Sequence, residues 1–250
     1  MTNGTMFKAR EWVKFHIFKP TLLGVGKMIA PFSPVGNPPV FSNDTFAWTK
    51  LLEENYEEIR KELEEVMRYK DELPNIQDIQ QEQKVITSDN KWKTFFLFGF
   101  GIKSEQNCRI CPKTTNVLEN IPGLLTAFFS ILHPGKHIPA HNGLFKGIIR
   151  SHLGLIIPGK NGECRMHVGK ETIIWKEGKA VVFDDTYRHE VWNDSDSIRV
   201  VLLIDTVRPF KSPFSKINKG ILKLIIGSSH VKDAVGKHNE WENKFNKLFS

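Results

Sequence analysis

Between residues 127 and 205 the apolar positions come in short runs broken by glycine and proline: Ala127–His133, Gly147–Ile157, Cys164–Val168, Glu171–Trp175, Ala180–Phe183, His189–Asn193 and Ile198–Asp205. Pro134-Gly135, Gly159 to Gly162 and Glu177-Gly178 supply turn chemistry between them. Runs of this length predict strands. Seven of them in fewer than eighty residues predict a mainly β fold: a double-sheet jelly roll, or cupin-like double-stranded β-helix, with helices on its flanks. A parallel α/β sheet is disfavoured. The aromatic run Trp92–Phe100 adds a further strand upstream.

Outside this region the period changes. Leu52, Tyr56, Ile59, Leu63 and Val66 recur at spacings of four and three after Asn43 and Asp44, both suited to an N-cap, which predicts one helix from about Thr45 to Lys70. Its Glu53, Glu54, Glu57, Glu58, Glu64 and Glu65 read as a solvated face. Residues 71–91 are polar and read as a loop, and Thr114–Asn120 as a short helix. Residues 5–19 predict a short aromatic and basic helix, and Pro31 through Pro39 an extended lead-in. In the tail, Ile217, Ile221, Leu224 and Ile225 are helically spaced, followed by Trp241, Phe245 and Phe249. The chain thus divides into a basic aromatic N-terminal extension (1–43), a jelly-roll domain (44–210) and a basic helical tail packed on or beside it (211–250).

The composition of the 250 residues, 40% hydrophobic and 25% charged, excludes disorder, collagen and coiled coil. The net charge of +7 is unevenly placed. Residues 1–43 hold five cations and one anion, and residues 211–250 hold eight and three, leaving 22 cations against 24 anions for residues 44–210. Three cysteines, Cys108, Cys111 and Cys164, are too few and too clustered for a disulfide scaffold, and the Cys108/Cys111 pair lacks the second pair a zinc site needs. No stretch reads as a secretory signal or a bilayer span, so the expectation is a cytoplasmic protein, peripheral to a membrane if its basic flanks touch one.

Candidate chemistry lies in the β-rich segment, where histidines gather from His133 to His189. His141 stands in the loop-like Ile138-Pro139-Ala140-His141-Asn142-Gly143, just before a strand, and His189 follows 48 residues later. Arg199 sits within the apolar run Ile198–Ile204. A guanidinium buried there needs an anion, because an unpaired buried charge costs several kcal/mol. Asp184, Asp185 or Asp205 is one solution, and the carboxylate of a small molecule another. Two neutral imidazoles suit Fe(II), and two histidines with a deeper arginine in a jelly roll are the layout of a 2-oxoglutarate oxygenase.

Several ordered motifs carry a more specific signal: Ser130-Ile131-Leu132-His133-Pro134-Gly135, His141-Asn142-Gly143, Arg150-Ser151-His152-Leu153-Gly154-Leu155, Trp175, Glu177-Gly178-Lys179, Phe183-Asp184-Asp185, His189-Glu190-Val191-Trp192 and Arg199. With Trp92 and Pro112-Lys113-Thr114 upstream, residues 92–210 resemble the aspartyl/asparaginyl β-hydroxylase family. The resemblance implies a jelly roll that binds Fe(II), converts 2-oxoglutarate and O2 to succinate and CO2, and hydroxylates a substrate C–H bond. It implies His141 and His189 as iron ligands and Arg199 as the clamp on the distal carboxylate of 2-oxoglutarate, assisted by Ser130. Arg150 and His152 match residues that hold the remaining carboxylates of cosubstrate or acceptor, and Trp92, Leu132 and Val191 match pocket-lining positions.

Gly143 stands where most non-haem Fe(II) oxygenases carry an acid, two residues after the first histidine. In this it resembles aspartyl hydroxylases that bind iron through two histidines and water, with Asp185 placed to hold that water. The acceptor implied is an aspartyl or asparaginyl β-carbon in a peptide or on a carrier, with Arg150 near its carboxylate. The basic flanks point to a different acceptor, an acyl chain on a lipid: Phe7, Trp12, Phe15, Ile17 and Phe18 interleave with Lys8, Arg10, Lys14 and Lys19, and the tail around Lys216–Lys223 is similar, a pattern suited either to an anionic membrane surface or to ends that pack on the barrel and show only their lysines. A third reading is a non-catalytic jelly-roll binding module. No motif supports nucleic-acid binding.

Overall fold

The computed structural model describes residues 19–160, 162–245 and 247. The helix expected over residues 5–19 and the side chain of Phe249 lie outside them, Lys19 apart. The strands are β1 (Val40–Phe41), β2 (Trp92–Gly99), β3 (Ile102–Lys103), β4 (Leu124–Leu132), β5 (Lys136–His141), β6 (Ile148–Ile156), β7 (Cys164–Val168), β8 (Glu171–Ile174), β9 (Ala180–Phe183), β10 (His189–Asn193) and β11 (Arg199–Val207). The helices are α1 (Lys19–Ile29), α2 (Ala47–Glu54), α3 (Tyr56–Met67), α4 (Ile76–Ile79), α5 (Glu105–Ile110), α6 (Pro112–Glu119), α7 (Phe214–Ile226) and α8 (Ser229–Phe245).

The strands build two sheets, in the orders β1-β9-β6-β11-β4-β2-β3 and β5-β10-β7-β8, with every pairing antiparallel. This is the expected jelly roll. Strand alternation sends successive side chains of the large sheet to opposite faces. Phe95, Phe129, Ile131, Leu153 and Leu202 meet the helical layer through Leu52, Ile59 and Leu63. Phe96, Phe128, Val201 and Leu203 face the small sheet, packing on Ile138, Met166 and Val191. A third apolar cluster joins α1 and α7 to the barrel through Leu22, Ile29, Phe145, Leu222 and Ile225.

Four expectations are corrected. The single helix over 45–70 is two, because Asn55 turns its amide back to Leu51 O (2.8 Å) and breaks the run between α2 and α3. Its acidic face is not wholly solvated. Glu53 accepts from Ala180 N and Lys179 Nζ, both at 2.9 Å, and so ties α2 to the start of β9. The stretch before His141, read as a loop, is strand β5. Pro139 has no N–H to give a ladder, and β5 tolerates it because it is the edge of the small sheet. The polar segment 71–91 also carries α4 and a 3-10 turn, Gln81–Val85. Among the described residues no helix is long and apolar enough to cross a membrane.

Candidate active site

The β5–β10 register sets His141 directly opposite His189. Their rings lie 4.1 Å apart, centroid to centroid. His141 Nδ1 is 2.8 Å from Pro139 O and His189 Nδ1 is 3.0 Å from Tyr187 O. A carbonyl only accepts, so each Nδ1 carries the proton and Nε2 is the nitrogen left to face a ligand. Burial, then the neighbouring His141, pushes the His189 pKa down to about 3, which keeps that ring neutral. Two imidazoles so oriented fit a divalent transition metal.

Beside the pair lies a small chamber walled by Trp92, Ser130, Arg150, His152, Val191 and Arg199 together with both histidines. Arg199 is almost fully buried, with its guanidinium carbon 4.1 Å above the Trp175 ring. The carboxylates that sequence offered it are engaged elsewhere. Asp184 pairs with Arg208 (2.7 Å) and Lys146 (2.8 Å), while Asp205 and Asp185 pair with Arg150. Burial without a counter-charge pushes the Arg199 pKa down to about 9. Arg199 Nε, both ring nitrogens of His152 and Trp175 Nε1 are buried with no hydrogen-bond partner. Buried polar atoms are rarely left this way, and three of them beside a cation whose own Nε is unpartnered call for a polar, anionic ligand. Burial, then the charges of Arg199 and Arg150, holds the His152 pKa well below its ordinary value, so it meets that ligand as a neutral ring. Trp92 Nε1 donates to Ser130 Oγ (3.1 Å), which leaves the Ser130 proton to be given to another acceptor.

Arg150 is placed differently from Arg199. Its Nε and Nη2 hold Asp205 bidentately at 2.8 and 2.9 Å, and its Nη1 reaches Asp185 at 3.2 Å. Burial opposes its charge, but the two carboxylates outweigh it and raise its pKa. The Asp185 carboxylate fills the space beside Gly143, where any Cβ would collide with both of its oxygens. Gly143 N in turn donates to Asp185 O (2.7 Å). An outer cleft of about 260 Å³, against about 30 Å³ for the chamber, opens in front of the histidine pair and includes Arg150, Asp185 and Gly143.

Of the residues singled out in the sequence, the structure brings Trp92, Ser130, His141, Arg150, His152, His189, Val191 and Arg199 to one chamber and Asp185 to the cleft before it. Leu132 lies in the core between the sheets, in register with both Trp92 and Arg199 but outside the chamber wall. Sequence reasoning missed Ile138, Met166, Phe183 and Leu203, which also line it. Ile138 and Met166 flank Val191 across the small sheet, so the signal was the inward phase of β5 and β7. Cys108 and Cys111 line neither the chamber nor the cleft and are buried and unbonded to each other. Among the described residues no three His, Cys, Asp or Glu side chains are grouped to hold a metal ion.

A family model described as aspartyl/asparaginyl beta-hydroxylase matches residues 53–209. The chain belongs to the aspartyl/asparaginyl β-hydroxylase family. An ornithine lipid ester-linked acyl 2-hydroxylase of Rhizobium tropici is 48% identical over 214 residues, covering 86% of this chain and 76% of that one. The human aspartyl/asparaginyl beta-hydroxylase is 36% identical over 169 residues, covering 66% of this chain but only 21% of that longer protein. Among solved structures, a 2OG-Fe(II) oxygenase family oxidoreductase from Burkholderia pseudomallei is 13% identical, with a TM-score of 0.38 over 48% of this chain and 66% of that one. The β-hydroxylase family match runs from the last residues of α2 to just past β11, including every chamber residue named above. The Rhizobium match is longer than that span and so reaches into a flank of the family domain.

Proposed function

We propose that this protein is an Fe(II)- and 2-oxoglutarate-dependent dioxygenase that hydroxylates an acyl chain carried on a lipid. The observation that carries the cosubstrate is Arg199, a buried cation without a carboxylate partner among the described residues, ringed by unpartnered polar atoms. Its planar fork suits the distal carboxylate of 2-oxoglutarate, with the Ser130 hydroxyl giving a further bond. His141 and His189 hold the iron. When bound, iron and 2-oxoglutarate supply the oxidation: O2 delivers one oxygen atom to a substrate C–H bond and the other to succinate, with loss of CO2. Ile138, Met166, Phe183, Val191 and Leu203 keep water from the chamber.

For the acceptor, two observations favour an acyl chain. Ile76, Ile86, Phe128, Phe145, Ile148 and Ile225 give the outer cleft an extended apolar wall beside its polar groups. Arg150, the residue expected to meet an acceptor carboxylate, already has its fork filled by Asp205 and Asp185. The high identity to the Rhizobium lipid hydroxylase supports the same reading. The second reading, β-hydroxylation of an aspartyl or asparaginyl residue, is favoured by Gly143 and the carboxylate of Asp185 that fills its side-chain space.

The test is direct. The protein is supplied with Fe(II), 2-oxoglutarate and O2, and offered in parallel an ornithine lipid in detergent micelles and an aspartyl peptide. Mass spectrometry is expected to find one added oxygen on the lipid's acyl chain with stoichiometric succinate. Oxygen added to the peptide alone overturns the lipid reading, and binding of 2-oxoglutarate with no succinate from either acceptor favours the binding module.

A further inference from the structure

Helices α1 and α7 meet at one end and share the third apolar cluster. Phe32, just after α1, stacks on Phe214 at the start of α7 with ring centroids 4.0 Å apart, and Ser33 Oγ donates to Pro209 O (2.8 Å). Both helices pack their apolar sides on the barrel through Leu22, Ile29, Leu222 and Ile225. What they leave outside is unusual for a protein surface. On α7 the spacing of Lys216, Lys219 and Lys223 places three exposed lysines on one stripe, with Ile217 and Leu224 beside them. Leu224 is 73% exposed, and on α1 Met28 is 68% exposed next to the exposed Lys27.

Charge on this face has one sign. Residues 19–42 and 208–226 contain no Asp or Glu. Lys27, Lys211, Lys216, Lys219 and Lys223 form no ion pair among the described residues. The face is also continuous with the site. Ile225, the neighbour of Leu224, lines the outer cleft in front of His141 and His189, and Val85, 69% exposed, lines the same cleft from the 3-10 turn Gln81–Val85.

We infer that this α1–α7 face docks on an anionic bilayer, Lys216, Lys219 and Lys223 meeting lipid phosphates while Met28, Ile217 and Leu224 enter the interface. A helix with a lysine stripe flanked by exposed apolar side chains matches an anionic membrane surface in both charge and hydrophobicity. Docking there puts the cleft beside the acyl layer. The inference rests on the lipid-acyl reading for what docking delivers, and on the lysines and exposed apolar side chains for the docking itself.

Co-sedimentation of the full chain with vesicles tests it. The protein is expected to pellet with phosphatidylcholine vesicles containing phosphatidylglycerol and to stay in the supernatant with phosphatidylcholine alone. Lys219→Ala/Lys223→Ala is expected to weaken partitioning roughly thirty-fold and Leu224→Ser about tenfold. Both variants replace exposed side chains and keep the wild-type melting temperature. Wild-type partitioning by both variants overturns the inference, as does binding to duplex DNA without binding to vesicles. Acyl hydroxylation of micellar lipid, read on the same samples, separates the two claims. Hydroxylation without vesicle binding overturns the docking alone, and vesicle binding without hydroxylation overturns the substrate reading while the docking stands.

Discussion

His141 and His189 are separated by 48 residues in the chain and by 4.1 Å between ring centroids in the fold, because the β5–β10 register makes them direct cross-strand partners. Each ring is locked through Nδ1 by a carbonyl two residues earlier in its own chain, Pro139 O or Tyr187 O. Removing either ring removes half of a two-nitrogen site. Anaerobic titration with Fe(II) and then 2-oxoglutarate is expected to give the visible charge-transfer band of the chelate in the wild type and none in His141→Ala or His189→Ala. A normal band in His189→Ala sinks the ligand assignment.

Arg199 carries function at the expense of stability. Replacing it by methionine keeps volume and removes a buried charge with no counter-ion, so Arg199→Met is expected to melt above the wild type in the absence of ligand, by several degrees. The same variant loses the rise in melting temperature that 2-oxoglutarate gives the wild type. Scanning calorimetry with and without the cosubstrate checks both signs, and a destabilised Arg199→Met argues that a partner anion is already present.

Gly143 and Asp185 share one carboxylate-sized space. Gly143→Asp places a second carboxylate where the first already sits and is expected to weaken Fe(II) binding roughly 10- to 100-fold. Adding Asp185→Gly empties the space and is expected to restore most of the loss. Equal affinity of the single and double variants, read by the same titration, contradicts this geometry.

Asp184 is fully buried between Arg208 and Lys146, and it also accepts from Thr186 N at 3.0 Å. Asp184→Asn leaves two buried cations short of their counter-ion and is expected to cost about 3–5 kcal/mol in urea unfolding. Because Asp184 adjoins Asp185, the loss of cleft geometry is expected to raise the KM for the acceptor in the same variant.

A buried polar knot fastens α8 to the barrel: Ser104 Oγ donates to Glu242 Oε1, and His238 Nε2 lies 3.1 Å from Ser104 Oγ. Burial lowers the His238 pKa against the opposing pull of Glu242. A histidine whose folded pKa lies below its unfolded value of about 6.5 takes up its proton mainly in the unfolded chain, so its contribution is present above that pH and lost as pH falls below it. His238→Gln is expected to flatten the loss of stability between neutral and mildly acidic pH, measured by urea unfolding across that range. An unchanged slope assigns the acid sensitivity to other groups.

Most strands, the helical C-terminal flank and most chamber residues were legible in the sequence, since strand alternation and turn residues are local and the family's motifs are contiguous, whereas helix α1 and the strands β1, β3 and β5 were not. Arg199 stood out because a guanidinium in an apolar run requires a chemical explanation wherever the chain folds, and His141 and His189 because they stand in the family's motifs. Asn55 breaking the first helix, and Pro139 sitting inside β5 rather than in a loop, were not legible. One turns on a side chain competing for a backbone carbonyl, the other on which strand ends up at a sheet edge.

By itself the sequence determined an antiparallel jelly roll and the donors it carries, because side-chain period and residue chemistry are properties of the chain. Only the tertiary structure decided which charges meet. Asp184, Asp185 and Asp205 were all open to Arg199 in sequence, and folding gave Asp184 to Arg208 and Lys146 and the other two to Arg150. Ion pairing depends on distances of a few ångström that sheet register and sheet stacking set, and those follow from how two faces pack rather than from the spacing of residues along the chain.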